Sequence, residues 1–418
     1  MLAVDVLDRP VEAIVRPPGS KSLTNRALVA AALARPGASR IHDPLEADDT
    51  RRMRSGLGAF GTLIDDNDDP WLVLGTGGDL EAPSSTIDVG ASGTTARFLT
   101  AVAALAAGKV SLDGSDRMRE RPMRPLIDSL TTMGASISAP GGGLPVAVNG
   151  KGRLDGGVVT VDATTSSQFA SAILLVAPLA TDPVDIRLTG PVVSRPYLDG
   201  TVEIMRAFGA DVSDESERFL VKSTGYEKAH VTIEADASAA VYPAVAAAIT
   251  GGTVLIEGIP PSSTQPDLAV FDILEQMGCN VNREQRGIRV AGPEGALQPV
   301  ESDLSGCPDG AMAVAVAALF ASGPSRLEGL STLRLKETDR LKALETELRR
   351  VGGAARATDD SLEVRPGHLR GAEIETYDDH RMAMSMALVG LVVPGIMVSR
   401  PEVVSKTWPG YFQMMSAL

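Results

Sequence analysis

Residues 19–34 read GSKSLTNRALVAAALA, a short loop of small polar residues running into an Ala-rich apolar helix. The same pattern returns at 90-GASGTTARFLTAVAAL, 164-TTSSQFASAILLVAPL, 235-ADASAAVYPAVAAAI, 306-GCPDGAMAVAVAALF and 376-TYDDHRMAMSMALVGL. Successive starts lie 71, 74, 71, 71 and 70 residues apart, so the chain is a sixfold internal repeat. A unit of that length exceeds the roughly 20–50 residues of solenoid repeats and has room for two helices and several strands. Between the apolar helices the pattern predicts a second helix, usually closed by Gly-Ala or Gly-Gly: 47-ADDTRRMRSGLGAFG, 122-PMRPLIDSLTTMGA, 196-PYLDGTVEIMRAFGA, 266-PDLAVFDILEQMGC and 336-KETDRLKALETELRRVGG, with 407-TWPGYFQMMSAL as the sixth.

Val/Ile/Thr-rich runs such as 157-GVVTVDA, 184-VDIRLTG, 229-AHVTIEA, 253-TVLIEG and 396-IMVSRP read as strands. Each repeat is therefore expected to run strand–helix–strand–helix–strand in an α/β fold. Six repeats divide most simply into two domains of three, residues 18–233 and 234–418. Residues 1–17, with the strand 11-VEAIVRP, have no repeat of their own and are expected to complete the second domain, in its sixth repeat. The chain then crosses between domains twice, near 16–18 and 232–235, which suggests a hinge and a cleft. The apolar helices lack a polar face and are expected to be buried.

Composition narrows the function. The 418-residue chain carries a net charge of −14 and only 4% aromatic residues, which argues against nucleic acid as a partner. Two cysteines, Cys279 and Cys307, form no disulfide framework and fit a reducing cytoplasm. The N-terminus, with Asp5 and Asp8, has no signal-peptide core. The apolar run from Met382 to Val398 is broken by Ser385 and Pro394 and reads as helix, turn and strand rather than a membrane span.

Cations in this acidic chain cluster on or beside the repeated loops: Lys21, Arg26, Arg97, Arg121, Arg195, Lys336, Arg340, Arg381 and Lys406. Helix N-termini already favour anions through their unpaired N–H groups, although Gly, Ser and Asp there can also be simple caps. Cations placed at such ends predict a ligand with several negative charges, two phosphates or a phosphate and a carboxylate. The loop at Gly19 is not a Walker phosphate loop, because Lys21 follows Ser20 and the upstream Gly is missing. The histidines His42, His230, His368 and His380 form no zinc motif, and Asp378 and Asp379 beside His380 read as caps rather than metal ligands. No metal is expected. Asp309, opening an apolar helix, and Glu337, between Lys336 and Arg340, are the candidate acid–base groups. For Glu337 the alternative is an ordinary i,i+3 pair with Arg340. Cys307 reads as a small buried hydrophobe.

Nine motifs appear in register along essentially the whole chain: PGSKSLTNRAL (18–28), GASGTTARFL (90–99), RMRERP (117–122), SSQF (166–169), SRPYLD (194–199), PDGAM (308–312), LKETDRL (335–341), DDHRMAM (378–384) and KTWPGYF (406–412). Together they resemble the 5-enolpyruvylshikimate-3-phosphate synthase family. The resemblance implies a two-domain inside-out α/β barrel, each domain built from three repeats. It implies transfer of the enolpyruvyl group of phosphoenolpyruvate to the 5-hydroxyl of shikimate 3-phosphate, with release of phosphate through a tetrahedral intermediate. Shikimate 3-phosphate would be held by Lys21, Ser22, Arg26, Ser166, Ser167, Gln168, Ser194, Tyr197, Asp309 and Lys336. Phosphoenolpyruvate would be held by Lys21, Gly93, Arg121, Gln168, Arg340, Arg381 and Lys406. Asp309, Glu337, Lys21 and His380 would carry the chemistry, with no metal or organic cofactor, in a cytoplasmic monomer. The bare Gly93 would leave room for glyphosate, the family's inhibitor. Two positions depart from the family pattern: Thr332 where Asn is frequent, and Phe98 where many relatives carry Pro.

Three rivals are weighed against this resemblance. The sister family that uses a UDP-aminosugar commonly carries a reactive Cys in its first domain, whereas 114–124 here reads GSDRMRERPMR. An RNA-cyclase relative is opposed by the acidic charge, and a non-catalytic scaffold would have no need of Asp309, Glu337 and the loop cations.

Overall fold

The computed structural model describes residues 1–418. The chain divides into two compact units, one of Met1–Pro18 with Glu234–Leu418 and one of Gly19–Ile233. Each has its own hydrophobic core.

In the Gly19–Ile233 unit, helices Lys21–Leu33, Gly93–Ala103 and Gln168–Val176 pack on one another inside three four-stranded sheets. In the other unit the same place is taken by Ala237–Thr250, Ala311–Ala317 and His380–Ala387. All of these helices are buried over most or all of their length. Alanine explains how: it has the highest helix propensity and lets neighbouring backbones approach closely, so a helix with no polar face is stable only inside. The amphipathic helices Asp48–Ala59, Arg124–Thr132, Pro196–Ala207, Ala269–Gln276 and Arg340–Arg350 each bury one face. The run 382–398 is helix, 3-10 turn and strand, as its sequence implied.

The α/β fold class stands, with one addition. A repeat ends in a hairpin, not a single strand: Val212–Asp214 with Arg218–Val221, Asn280–Glu284 with Gly287–Ala291, and Ala354–Ala357 with Leu362–Arg365. Each of the five four-stranded sheets pairs its first strand in parallel with the second and closes with this antiparallel hairpin. The hairpin partners are short and partly polar, which hid half of them in the sequence.

The N-terminal strand corrects an expectation. Glu12–Val15 pairs in parallel with Thr253–Glu257, so it completes the fourth repeat and not the sixth. The sixth sheet is completed instead by Leu2–Ala3, antiparallel to Met397–Val398. Pro18 also goes with Glu234–Leu418, its carbonyl accepting the Asp236 N–H at 2.8 Å. His230–Thr232 plays the matching part in the other unit, pairing in parallel with Gly37–His42.

Candidate active site

In the Gly19–Ile233 unit the three loops lead to three helix starts. Lys21 is the first residue of its helix, and its ammonium lies 3.5 Å from the buried carboxylate of Asp49. One turn on, Arg26 is fully buried and spends its donors inside the protein. Nε bonds Thr201 Oγ1 (2.7 Å), Nη1 bonds the carbonyl and hydroxyl of Ser22 (2.9 and 2.6 Å), and Nη2 bonds Ser171 Oγ and the Tyr197 carbonyl (3.1 and 3.2 Å). Its guanidinium lies over Phe98, and burial pushes its pKa down to about 10. Arg26 thus ties Ser22 to Tyr197 and fixes both.

The second loop is capped by Ser92, which accepts from Thr95 N–H at 3.3 Å. Arg97 donates to Gln168 Oε1 (2.6 Å) and the Pro122 carbonyl (3.1 Å), over the ring of Phe169. Gln168 in turn donates to Thr94 Oγ1 at 3.2 Å. A Cβ built on Gly93 would stand 2.6 Å from Arg97 Nη1 and 2.7 Å from Arg121 Nη2, so the two guanidinium groups close over this glycine. Ser166 accepts the Gln168 N–H, and Ser167 is buried at the start of the same helix. Ser194 adopts φ 54°, immediately before Arg195, which pairs with Asp199 and Asp214.

In the other unit the charged groups converge on Arg340, which is 1% exposed. Its Nε and Nη2 take Asp379 in a two-pronged bond (2.7 and 3.1 Å), Nη1 takes Asp309 (2.9 Å), and Nη2 also reaches Glu337 (3.0 Å). Asp309 further meets Lys336 at 3.2 Å and Arg381 at 3.1 Å, and Glu337 meets Lys406 at 2.9 Å. The neighbouring carboxylates hold Arg340 in its charged form despite the cost of burial. Asp379 caps the helix His380–Ala387 by accepting the Arg381 N–H at 2.9 Å, so one carboxylate aims both arginines. Arg381 Nη1 lies 3.4 Å from the hydroxyl of Tyr242, whose pKa burial pushes up to about 12. His380 is fully buried, 3.6 Å from Asp379. Lys336–Asp339 is loop rather than the first turn of a helix: Asp339 caps Arg340–Arg350, and this loop brings Lys336 and Glu337 to the cluster.

The structure gathers Asp309, Glu337, Lys336, Arg340, Arg381, Lys406 and His380 in one unit, and Lys21, Ser22, Arg26, Gly93, Arg97, Arg121, Ser166, Ser167, Gln168, Ser194 and Tyr197 in the other. Asp49, Thr94, Ser171, Thr201, Tyr242 and Asp267 were not expected. They lie on helices or caps where their sequence context is ordinary, and only their partners across the repeats reveal them. No group of three His, Cys, Asp or Glu side chains is placed to hold a metal ion.

A family model described as EPSP synthase (3-phosphoshikimate 1-carboxyvinyltransferase) matches residues 7–415. Curated 3-phosphoshikimate 1-carboxyvinyltransferases from Nostoc punctiforme and a Sulfurovum species are each 41% identical, covering 98% of this chain and 97% of the relative. Among solved structures, EPSP synthase from Acinetobacter baumannii superposes with a TM-score of 0.83 at 26% identity, covering 99% of this chain and 97% of that one. The enolpyruvyl transferase NikO from Streptomyces tendae has a TM-score of 0.78 at 20% identity, covering 99% and 96%, a likeness of fold alone.

Proposed function

The chain belongs to the EPSP synthase family, and from that premise we propose how its own residues divide the work. The activity is that of a 3-phosphoshikimate 1-carboxyvinyltransferase: the enolpyruvyl group of phosphoenolpyruvate passes to the 5-hydroxyl of shikimate 3-phosphate, and phosphate is released. The reaction belongs to the shikimate route to aromatic amino acids. A UDP-aminosugar acceptor is not favoured.

Shikimate 3-phosphate is assigned to Lys21, Ser22, Ser166, Ser167, Gln168, Ser194, Tyr197, Asp309 and Lys336, with Arg26 holding Ser22 and Tyr197 in place. Phosphoenolpyruvate is assigned to Lys21, Arg121, Gln168, Arg340, Arg381 and Lys406, with the backbone of Gly93. Asp309, which pairs with Lys336, Arg340 and Arg381, takes the proton of the 5-hydroxyl as that oxygen attacks C2 of phosphoenolpyruvate. Glu337, in its protonated form at this step and assisted by Lys21, delivers its proton to the methylene carbon, giving the tetrahedral intermediate. A methyl proton then returns to the Glu337 carboxylate as phosphate departs near His380, which regenerates the double bond, and the proton held by Asp309 leaves with the phosphate. The cations stabilise charge as it develops on the phosphate and carboxylate.

The observation that carries this reading is the shared guanidinium of Arg340, which holds both proposed acid–base carboxylates, Asp309 and Glu337, at 2.9 and 3.0 Å. The test is phosphate release from phosphoenolpyruvate. Release is expected only when shikimate 3-phosphate is present; release with a UDP-aminosugar instead would overturn the assignment. We also propose a monomer acting in the cytoplasm. No helix is long and apolar enough to cross a membrane, both cysteines are buried and unpaired, and a net charge of −14 opposes self-association. Light scattering checks the mass.

A further inference from the structure

We infer that Asp267 is a positioning residue for Asp309, holding the peptide that follows the base and setting the charge beside it; this rests on the assignment of Asp309 above. Asp267 lies in the 3-10 turn Pro266–Leu268 and is 1% exposed. Its Oδ1 accepts the N–H of Gly310 at 3.0 Å, and its Oδ2 takes the hydroxyl of Ser238 from the helix Ala237–Thr250. Gly310 is bonded from two sides, since its N–H also points to the Cys307 carbonyl at 3.1 Å. A Cβ built on Gly310 would stand 3.0 Å from Asp267 Oδ1 and 2.5 Å from Val270 Cγ2. The loop therefore lies against the carboxylate because residue 310 has no side chain. The peptide between Asp309 and the helix Ala311–Ala317 is anchored, and with it the direction of the Asp309 side chain.

The second part is electrostatic. Lys336, Arg340 and Arg381 all touch Asp309 and weaken its pull on a proton. A buried anion nearby opposes them. The charged and titratable groups facing Asp267 are Arg381, Asp309, Asp236 and the Cys307 thiol. Burial, the largest influence, raises the Asp267 carboxyl to about 6, with Arg381 pulling the other way and Asp309 pushing with it. Above that pH Asp267 is an anion that penalises a second negative charge on Asp309, so Asp309 takes a proton more readily.

The experiment compares kcat and KM across pH for the wild type, Asp309→Ala, Asp267→Ala and Asp267→Asn, with circular dichroism to confirm folding. Asp267→Ala is expected to lose on the order of 10- to 100-fold in kcat, with KM for shikimate 3-phosphate little changed, the signature of a misaimed group rather than a lost contact. In Asp267→Asn the amide oxygen still accepts the Gly310 N–H. That variant is expected to recover most of kcat, while the acid limb of its profile moves to lower pH, because no carboxyl is left at 267 to ionise near pH 6 and strengthen the base beside it. A folded Asp267→Ala with wild-type kcat overturns the inference. If Asp267→Ala does not fold, an Asp267→Asn acid limb coincident with that of the wild type overturns it. Wild-type kcat in Asp309→Ala would instead overturn the base assignment itself, so the two failures are distinguishable.

Discussion

Lys21 and Asp309 are assigned to the same reaction but meet different charges, and this sets how each should fail. The Lys21 ammonium, held at 3.5 Å from Asp49, is proposed to meet ligand charge present before and during the reaction. Lys21→Ala should raise KM and lower kcat together. Asp309, as the proposed base, gains its proton only as the hydroxyl attacks, so its work falls in the transition state. Asp309→Ala should keep affinity for shikimate 3-phosphate by calorimetric titration while kcat falls by on the order of 10² or more. A kcat near wild type would pass the role to Glu337. At this scale the cations were legible, because fixed positive charge beside helix starts is conspicuous in a chain of net charge −14. Asp379 was not. A carboxylate before His380 reads as a cap, which it is, and nothing local shows that it also binds Arg340, 39 residues away. Asp267 was hidden for the same reason, its partners Ser238 and Gly310 lying 29 and 43 residues off.

Among the elements, the buried helices were legible because a helix apolar all round has only one stable place. The hairpins were not, since a three-residue strand such as Val212–Asp214 with one buried side chain carries almost no period. The loop into His380 shows a further feature that sequence pattern could not supply. Tyr377 and Asp378 adopt φ 56° and 54°, a left-handed conformation costing roughly 1–2 kcal/mol per non-Gly residue. Side chains hold it: Arg400 pairs with Asp378 and Glu375, and the Tyr377 hydroxyl donates to the buried Glu347 at 2.7 Å. Glu347 also meets Arg350 at 3.0 Å, yet burial outweighs these partners and raises its carboxyl. A raised acid contributes stability that is complete below its unfolded pKa of 4.5 and lost as pH climbs through the folded value. Tyr377→Phe removes a donor to the ionised form and should raise that carboxyl further. The variant should lose about 1–3 kcal/mol, the worth of an unpaired buried acceptor, near neutral pH and less near pH 4. Urea unfolding at both pH values measures it; a pH-independent difference would show that Glu347 does not sense the hydroxyl.

For the whole molecule, the arithmetic of the repeats was plain in the sequence, but which sheet each terminal strand joins was not. A strand pairs through its backbone, and Glu12–Val15 would fit the edge of either incomplete sheet. The structure gives the two N-terminal strands separate places in one unit, which makes their contributions separable. Leu2–Ala3 closes the sheet of Met397–Val398 and Glu373–Ile374, with Val4 N–H bonded to the Ile396 carbonyl and Leu7 N–H to that of Leu391, both at 3.0 Å. Val4 also lies where a side chain on Gly390 would be, 2.5 Å from a Cβ built there. Deleting residues 2–8 therefore uncovers Gly390, Leu391 and Ile396 but leaves Glu12–Val15 paired with Thr253–Glu257. The loss of packed Val4 and Leu7 and of the strand pairing should cost about 2 kcal/mol or more. Hydrogen exchange of the truncated chain should speed up across residues 373–398. Amides of Gly19–Ile233, which has its own core, should keep their wild-type protection. Uniform acceleration across both units would mean that they unfold as a single cooperative body and that the N-terminal strand supports the whole chain.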